Sequence, residues 1–224
     1  APVNSRTSTL KRLSSCIIGA LQTALPERVP ADGSSQLTVL MFGGRNAAGK
    51  PFIVGEFNAG GSGASRRLDG IDVIETDASN CMNLPVEALE LEAPIRVNRL
   101  GLRKDSGGAG THRGGLGLIR EFEFLVDGVS LTHRGERHVH PARGAHGGGD
   151  GARSESVIER ADGTHEVIAS KILTEVNCGD RLILKTGGGG GYGDPSQRDG
   201  ARVADDIADG KISPDAAHAI YGAD

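Results

Sequence analysis

The sequence predicts an α+β fold dominated by antiparallel strands, with glycine-rich loops, one N-terminal helix and short C-terminal helices. Three patterns lead to it. Apolar residues recur every three to four positions only from Arg6 to Leu25; short β-rich runs divided by glycine clusters fill the middle; helical patterns return after Ala201.

In the first segment, Leu10, Leu13, Ile17, Ile18, Leu21 and Leu25 line one side of a helix, so a buried stripe is expected there. Thr7 or Ser8 is placed to cap it and Pro26 to stop it. Gln36 to Phe42 and Pro51 to Phe57 flank GGRNAAGK and read as a hairpin with a long loop. Further strands are expected at Ile71 to Glu75, Ile95 to Arg103, Leu118 to Val126, Val129 to His133, Ser156 to Glu159, Glu166 to Ala169 and Arg181 to Thr186. In the run from Leu118, the residues Leu118, Phe122, Phe124 and Val126 share one face and Glu121 and Glu123 the other, which predicts one buried and one wet side. Asp162-Gly163 is a hairpin signal between two of these strands. Ala201 to Asp209 and Pro214 to Tyr221 read as helices, the second with Ser213 as its cap and Pro214 at its first position.

Composition narrows the function classes. Of 224 residues 35 are glycine, about twice average usage, yet without the G-X-Y period of collagen. Aromatic residues are 3% with no Trp, which argues against stacking platforms for single-stranded nucleic acid, and a net charge of −4 without basic blocks offers nucleic acid or an anionic membrane no footprint. Cys16, Cys81 and Cys178 are odd in number and far apart, so the expected compartment is the reducing cytoplasm. No apolar run approaches the ~18 residues that a membrane-spanning helix needs.

Four polar or glycine-rich segments are candidates for chemistry. GGGGGYGDP, Gly187 to Pro195, reads either as a backbone cradle for an anion or as a tight passage where no side chain fits and φ > 0 is needed; it lacks the Gly-Lys-Ser/Thr of a P-loop. NAGGSGASRRLDG and DSGGAGTHRGGLG put Arg66, Arg67, His112 and Arg113 beside flexible backbone, suited to anion contact or simply to turns. His138 and His140 stand two apart on an extended segment and, with His146 or Asp150, offer metal-ligand spacing, against a plain reading as a polar loop. In ETDASNCMNLPVEALELEAP, Pro85 opens a helical turn with Glu87 and Glu90 on one side; the pair reads as acid/base carboxylates or as a solvated face.

Read in order, GGSGASRRLDGID, NLPVEALE, DSGGAGTHRGGLGLIREFEF, RGERHVHPARGAHGGGDG and GDRLILKTGGGGGYGDP, followed by Arg198-Asp199, resemble the hydantoinase B/oxoprolinase family. The resemblance covers nearly the whole chain and matches the C-terminal portion of a longer subunit, so residues 1–224 are expected to form one compact unit of it. It implies ATP-dependent hydrolysis of a cyclic amide of the 5-oxoproline or hydantoin type. ATP and Mg2+ would be held by a hydantoinase A-type partner with an actin-like ATP site, and a divalent metal by the N-terminal portion of the B-type subunit. Related subunits serve ketone carboxylases, which leaves carboxylation as an alternative, beside a non-catalytic assembly role. For the site, Asn80, Asn83 and Glu87 are the catalytic candidates, because amide and carboxylate groups orient substrate or water. Arg120 and Gly188, Gly189 and Gly190 are the candidates for substrate or anion contact, and no metal ligand is assigned within this chain.

Overall fold

A computed structural model describes residues 6–223. Nine strands and four helices follow in the order α1 (Arg6–Ala24), β1 (Thr38–Arg45), β2 (Pro51–Asn58), α2 (Val86–Glu92), β3 (Ile95–Leu102), β4 (Leu118–Phe124), β5 (Val129–Arg134), β6 (Glu155–Glu159), β7 (His165–Val167), β8 (Lys171–Val176), β9 (Arg181–Lys185), α3 (Gly200–Ala208) and α4 (Pro214–Tyr221). The strands form two antiparallel sheets, ordered β2-β1-β5-β8 and β3-β4-β9-β6-β7, and the fold is α+β as expected.

The sheets pack face to face because each strand carries an apolar alternate set. Leu40, Phe42, Leu131 and Val176 from the first sheet meet Phe122, Phe124, Ile158 and Leu182 from the second in one buried core. With no Trp available, Phe42 is the hub: its ring lies 5.4 Å from that of Phe122 and 5.6 Å from that of Phe124. The hairpin at Asp162-Gly163 forms as expected, with Glu159 opposite His165 and Gly163 at φ 87°. Ser213 caps α4 by accepting from the Ala216 N–H, and Asp199 caps α3.

Four expectations change. Gly43 and Gly44 belong to β1, paired with Ile53 and Phe52, so the hairpin loop shrinks to Asn46–Lys50, where the Asn46 side chain accepts from the Ala48 and Lys50 N–H groups. Ile71 to Glu75 makes only an isolated bridge, Ile74 to Gly60, because the glycines beside it supply no side-chain ladder. β8 was not anticipated: its apolar residues follow Ser170 with no turn signal ahead of them, yet it pairs along the length of β5. Most consequentially, the apolar stripe of α1 faces outward. Thr7 and Ser8 lie inside the helix, Lys11 is its buried residue, and Leu10, Leu13, Ile17 and Leu21 are exposed.

Beyond the open end of the sandwich, the glycine-rich segments are neither turns nor strands. The run Gly187–Gly193, continuing from β9, lies extended at their centre. The Gly188 and Gly191 N–H groups donate to Ala152 and Gly149, those of Gly189 and Tyr192 to Gly115 and His112, and those of Gly190 and Gly193 to Asp32 and Ala145. Groups three apart therefore return to the same side, the period of a polyproline II-type helix and not the two-residue period of a strand. Its carbonyls accept in turn from Gly61, Ala64, Gly108 and Ala145. A Cβ on Gly188, Gly189 or Gly190 would collide with the backbone of Ser106, Ser62 or Arg143. The requirement is thus for space: Gly193 is the residue of this run with positive φ, and the expected φ > 0 does not hold for Gly187 to Gly191.

Replacing Gly189 by Ala is expected to cost at least about 3 kcal/mol of stability, since neither backbone can retreat without breaking bonds to a third segment. Gly101→Ala, where a Cβ meets open space in β3, should stay within about 0.5 kcal/mol of the parent. Urea unfolding of the two variants checks the contrast.

Candidate functional site

At the end of the sandwich nearest the glycine bundle, the inward phase of the strands turns from apolar to polar. On β2 the set Val54, Glu56, Asn58 ends in two polar groups; on β1 Thr38 follows Leu40; on β5 His133 follows Leu131; on β4 Arg120 stands between Leu118 and Phe122. Register brings them into one layer. Glu56 and His133 both pair with Leu40, and Thr38 pairs with Asn58. Across the gap Arg120 and Ser156 flank Leu184.

Two bridges cross between the sheets. Arg120 Nη1 lies 2.9 Å from Glu56 Oε1, with both side chains wholly inaccessible, and the guanidinium sits 4.9 Å over the Phe122 ring. Burial pushes the Glu56 carboxyl up, opposed by the Arg120 charge and the Leu84 N–H, and burial likewise pulls Arg120 down, opposed by Glu56. The second bridge joins His133 Nε2 to Ser156 Oγ at 2.9 Å, while His133 Nδ1 meets the Ser170 carbonyl at 3.1 Å. Since a carbonyl only accepts, Nδ1 carries the proton and Nε2 accepts from the serine hydroxyl. Burial, with His138 and Lys171 nearby, lowers the His133 pKa to about 4. The amide of Asn58, the Thr38 hydroxyl, Glu56 Oε2 and the three guanidinium nitrogens of Arg120 are buried in this layer without a hydrogen-bond partner among the described residues, so the Arg120–Glu56 contact is an ion pair and not a hydrogen bond.

The layer gathers some of the expected site residues. The Leu84 N–H donates to Glu56 Oε1 at 3.2 Å, so the segment bearing Asn80, Asn83 and Glu87 abuts the Glu56–Arg120 pair. Asn83 is half-buried there, whereas Asn80 and Glu87 are exposed, Glu87 in the first turn of α2. Glu90 is spent on the Val97 N–H at 2.8 Å. Arg120 is a structural partner of Glu56 with no face open to a ligand. Gly188, Gly189 and Gly190 sit in the bundle, and their N–H groups already donate to Ala152, Gly115 and Asp32, so the anion-cradle reading does not fit them. Glu56 is the residue that sequence reasoning missed. Its signal was a carboxylate in the apolar phase of β2, two residues after Val54.

The histidines do not converge on a metal. The His133 and His138 rings meet edge to face at 5.5 Å, His140 is exposed, His146 Nε2 lies 2.9 Å from the Pro26 carbonyl, and Asp150 accepts from the Gly144 N–H. No group of three or more His, Cys, Asp or Glu side chains among the described residues is arranged to hold a metal ion. Nor do these residues fit ATP, because the glycine N–H groups that a phosphate would need are bonded inside the bundle. Two adjoining clefts of about 330 and 570 Å3 share His138, Val139 and Ser170; Arg12 and His140 line the first, Arg103 and Arg153 the second. No described helix is long and apolar enough to cross a membrane.

Comparison with known proteins places these features in context. Residues 1–195 match the family model described as hydantoinase B/oxoprolinase. The chain is 32% identical over 99% of its length to the putative B subunit of the D-/L-hydantoinase of Pseudomonas sp. strain NS671, covering 37% of it. It is 31% identical over 98% of its length to the beta subunit of the caprolactamase of Pseudomonas jessenii, covering 39% of it. A crystal structure of the ATP-dependent caprolactamase from that organism superposes with a TM-score of 0.78 at 30% identity, over 91% of this chain and 37% of the other. The nucleotide-free structure of acetone carboxylase shares the fold, with a TM-score of 0.73 at 22% identity over 90% of this chain and 31% of the other. The chain thus spans about two fifths of the length of the relatives it matches.

Removing one partner of the inter-sheet pair strands the other's charge. Arg120→Met alone should cost about 3–5 kcal/mol, and adding Glu56→Leu should recover most of that loss in equilibrium unfolding. His133 gives a pH signature. Its pKa in the fold, about 4, lies below the value near 6.5 of an unfolded chain, so the unfolded state binds the proton first. The His133 contribution is complete above pH 6.5 and declines by about 3 kcal/mol as pH falls to 4, a slope that His133→Asn should lack.

Proposed function

The chain belongs to the hydantoinase B/oxoprolinase family, and on that premise we propose that it is the C-terminal portion of a B-type subunit in an ATP-dependent enzyme that hydrolyses a cyclic amide. One observation carries the reading. Nearly all of this chain aligns with a caprolactamase subunit at 31% identity, yet it supplies only 39% of that subunit, so its chemistry is done in company. The companions we infer are the N-terminal portion of the B-type subunit and a hydantoinase A-type partner, within the cytoplasm; the subunit names of the relatives and the three unpaired cysteines support this.

The chemistry follows from the stability of the amide. Transfer of a phosphoryl group from ATP to the carbonyl oxygen releases ADP, removes amide resonance and makes the carbon electrophilic; water then adds, the ring C–N bond breaks as the nitrogen takes a proton, and a second water hydrolyses the resulting acyl phosphate to carboxylate and phosphate. ATP and Mg2+ are assigned to the A-type partner, a reading supported by the ATP-dependent caprolactamase and by the subunit name of its beta chain. This chain contributes groups that orient the water and substrate. Asn83 and Glu87 project from the segment anchored to Glu56, with Asn80 beside them, and Glu87 is free to take a proton from water because no partner among the described residues occupies it. The 5-oxoproline and hydantoin types are the proposed substrate class, from the relatives named for them.

A second reading is a scaffold without reacting groups. It draws on the bonding of Gly188 to Gly190 and on the burial of Arg120, both structural.

The complete assembly should release phosphate only when 5-oxoproline or an N-methylhydantoin is present, and this chain alone should release none. In that assembly Glu87→Gln should lower kcat by about 10²-fold with little change in stability, as its side chain is exposed. Turnover unchanged by the substitution would favour the scaffold reading.

A further inference from the structure

Helix α1 is built inside out. Its 19 residues carry an apolar stripe, Leu10, Leu13, Ile17 and Leu21, continued by Leu25 just past its end, and each of the five is more than 40% exposed, Ile17 reaching 61%. The side turned to the protein is polar. Lys11 is fully buried, pairs with Glu75 at 2.9 Å and donates to the Thr76 carbonyl, while Arg12 donates to the carbonyls of Ser34 and Ser35. The charges fix the orientation, because turning the helix to bury its leucines would carry Lys11 to solvent and leave the buried Glu75 carboxylate without its partner. Such a contiguous apolar surface on a folded protein marks an interface.

We propose that the exposed face of α1 is the docking surface for the remainder of a family-length B-type subunit, which lays an apolar layer over Leu10, Leu13, Ile17, Leu21 and Leu25. The inference rests on the family reading above and adds the place where the two portions meet. Length argues for this occupant. The relatives match this chain along 98–99% of its extent but continue for about three fifths of their own length without counterpart here. The shape of the stripe argues for it too. Within the helix its spacing of three, four and four residues spreads over about 80° of the circumference, and Leu25, four residues on, continues the same side past the helix end. A seam between two copies of one helix would alternate spacings of three and four to keep the seven-residue repeat of a coiled coil, which the successive fours here do not. Charge argues against a lipid surface: the Lys11 and Arg12 side chains that would meet anionic headgroups are turned into the protein.

The test co-produces this chain with the remaining polypeptide of a B-type subunit and reads complex formation by sedimentation, for the parent and for Leu13→Glu/Ile17→Glu. The doubly substituted chain alone should keep its circular dichroism and melting temperature, since both side chains already face solvent, yet its affinity for the remainder should fall at least a hundredfold. Hydrogen exchange across residues 10–25 should slow in the parent complex. Three results would overturn the proposal: a parent that forms no complex, a substituted chain that binds as well as the parent, or a stripe-dependent dimer or vesicle binding in place of the complex. These outcomes are read without ATP. Loss of ATP-dependent turnover in a complex that still assembles would count against the enzymatic reading and leave the interface standing.

Discussion

Backbone approaching backbone with nothing between them is the condition on which the rest of this structure depends. Gly187 to Gly193 is bonded on three sides through its N–H groups and accepts bonds through its carbonyls from further segments, so one extended run knits together pieces of chain that begin with Asp32 and end with Ala152. Those distances leave no room for a methyl group. An ordinary sandwich closes its end with side chains. Here the closure is made of peptide groups, bonded along most of the run and insensitive to side-chain rotamers. The loops that leave the strands and bond to this run are thereby held in fixed places.

The polar layer beneath the bundle is the other half of that arrangement. Between an apolar core built on Phe42 and a bundle made of amides, the Glu56–Arg120 ion pair and the Ser156–His133 hydrogen bond cross between the sheets. A buried ion pair adds little net stability over well-packed apolar residues. What it supplies is register: Glu56 meets Arg120 only when β2 and β4 each hold their observed pairing, and a slip of either strand by one residue would turn its charge to the wrong face and leave the other buried alone. The Leu84 N–H on the same carboxylate then ties the surface segment to that alignment.

Much of this was legible in the sequence. Short β-rich runs divided by glycine and turn residues located eight of the nine described strands to within a few residues, with one further run, Ile71 to Glu75, that forms no strand, and Ser213-Pro214 marked the last helix. The failures share a physical cause. Periodicity reports that a helix has an apolar face and not what covers it, so α1 read as a core helix when its core-facing residue is Lys11. Glycine composition announced a constraint but not its kind, because close approach and positive φ both select glycine. Glu56 escaped for the opposite reason: a lone carboxylate in a strand draws no notice until a cation 64 positions later, Arg120, is brought opposite it by the fold. The catalytic candidates Asn80 and Glu87 came from residue type alone, and their open surroundings leave them available for chemistry without supplying the second half of a site.

The central position of the Gly187–Gly193 run has a consequence for how the molecule is made. A chain emerging from the ribosome presents Ala31 to Ser34, Gly60 to Ala64, Gly107 to Gly117 and Ala142 to Ala152 long before the run that links them exists, and glycine-rich segments have little apolar surface with which to wait in a collapsed state. The sandwich strands β1, β2 and β5 can pair early, but the bundle is completed by its last-synthesised member. The bundle's bonds to this run, such as Gly190 to Asp32, therefore form only once the late part of the chain is present, and a nascent chain halted short of Gly187 lacks the clasp that fixes its loops.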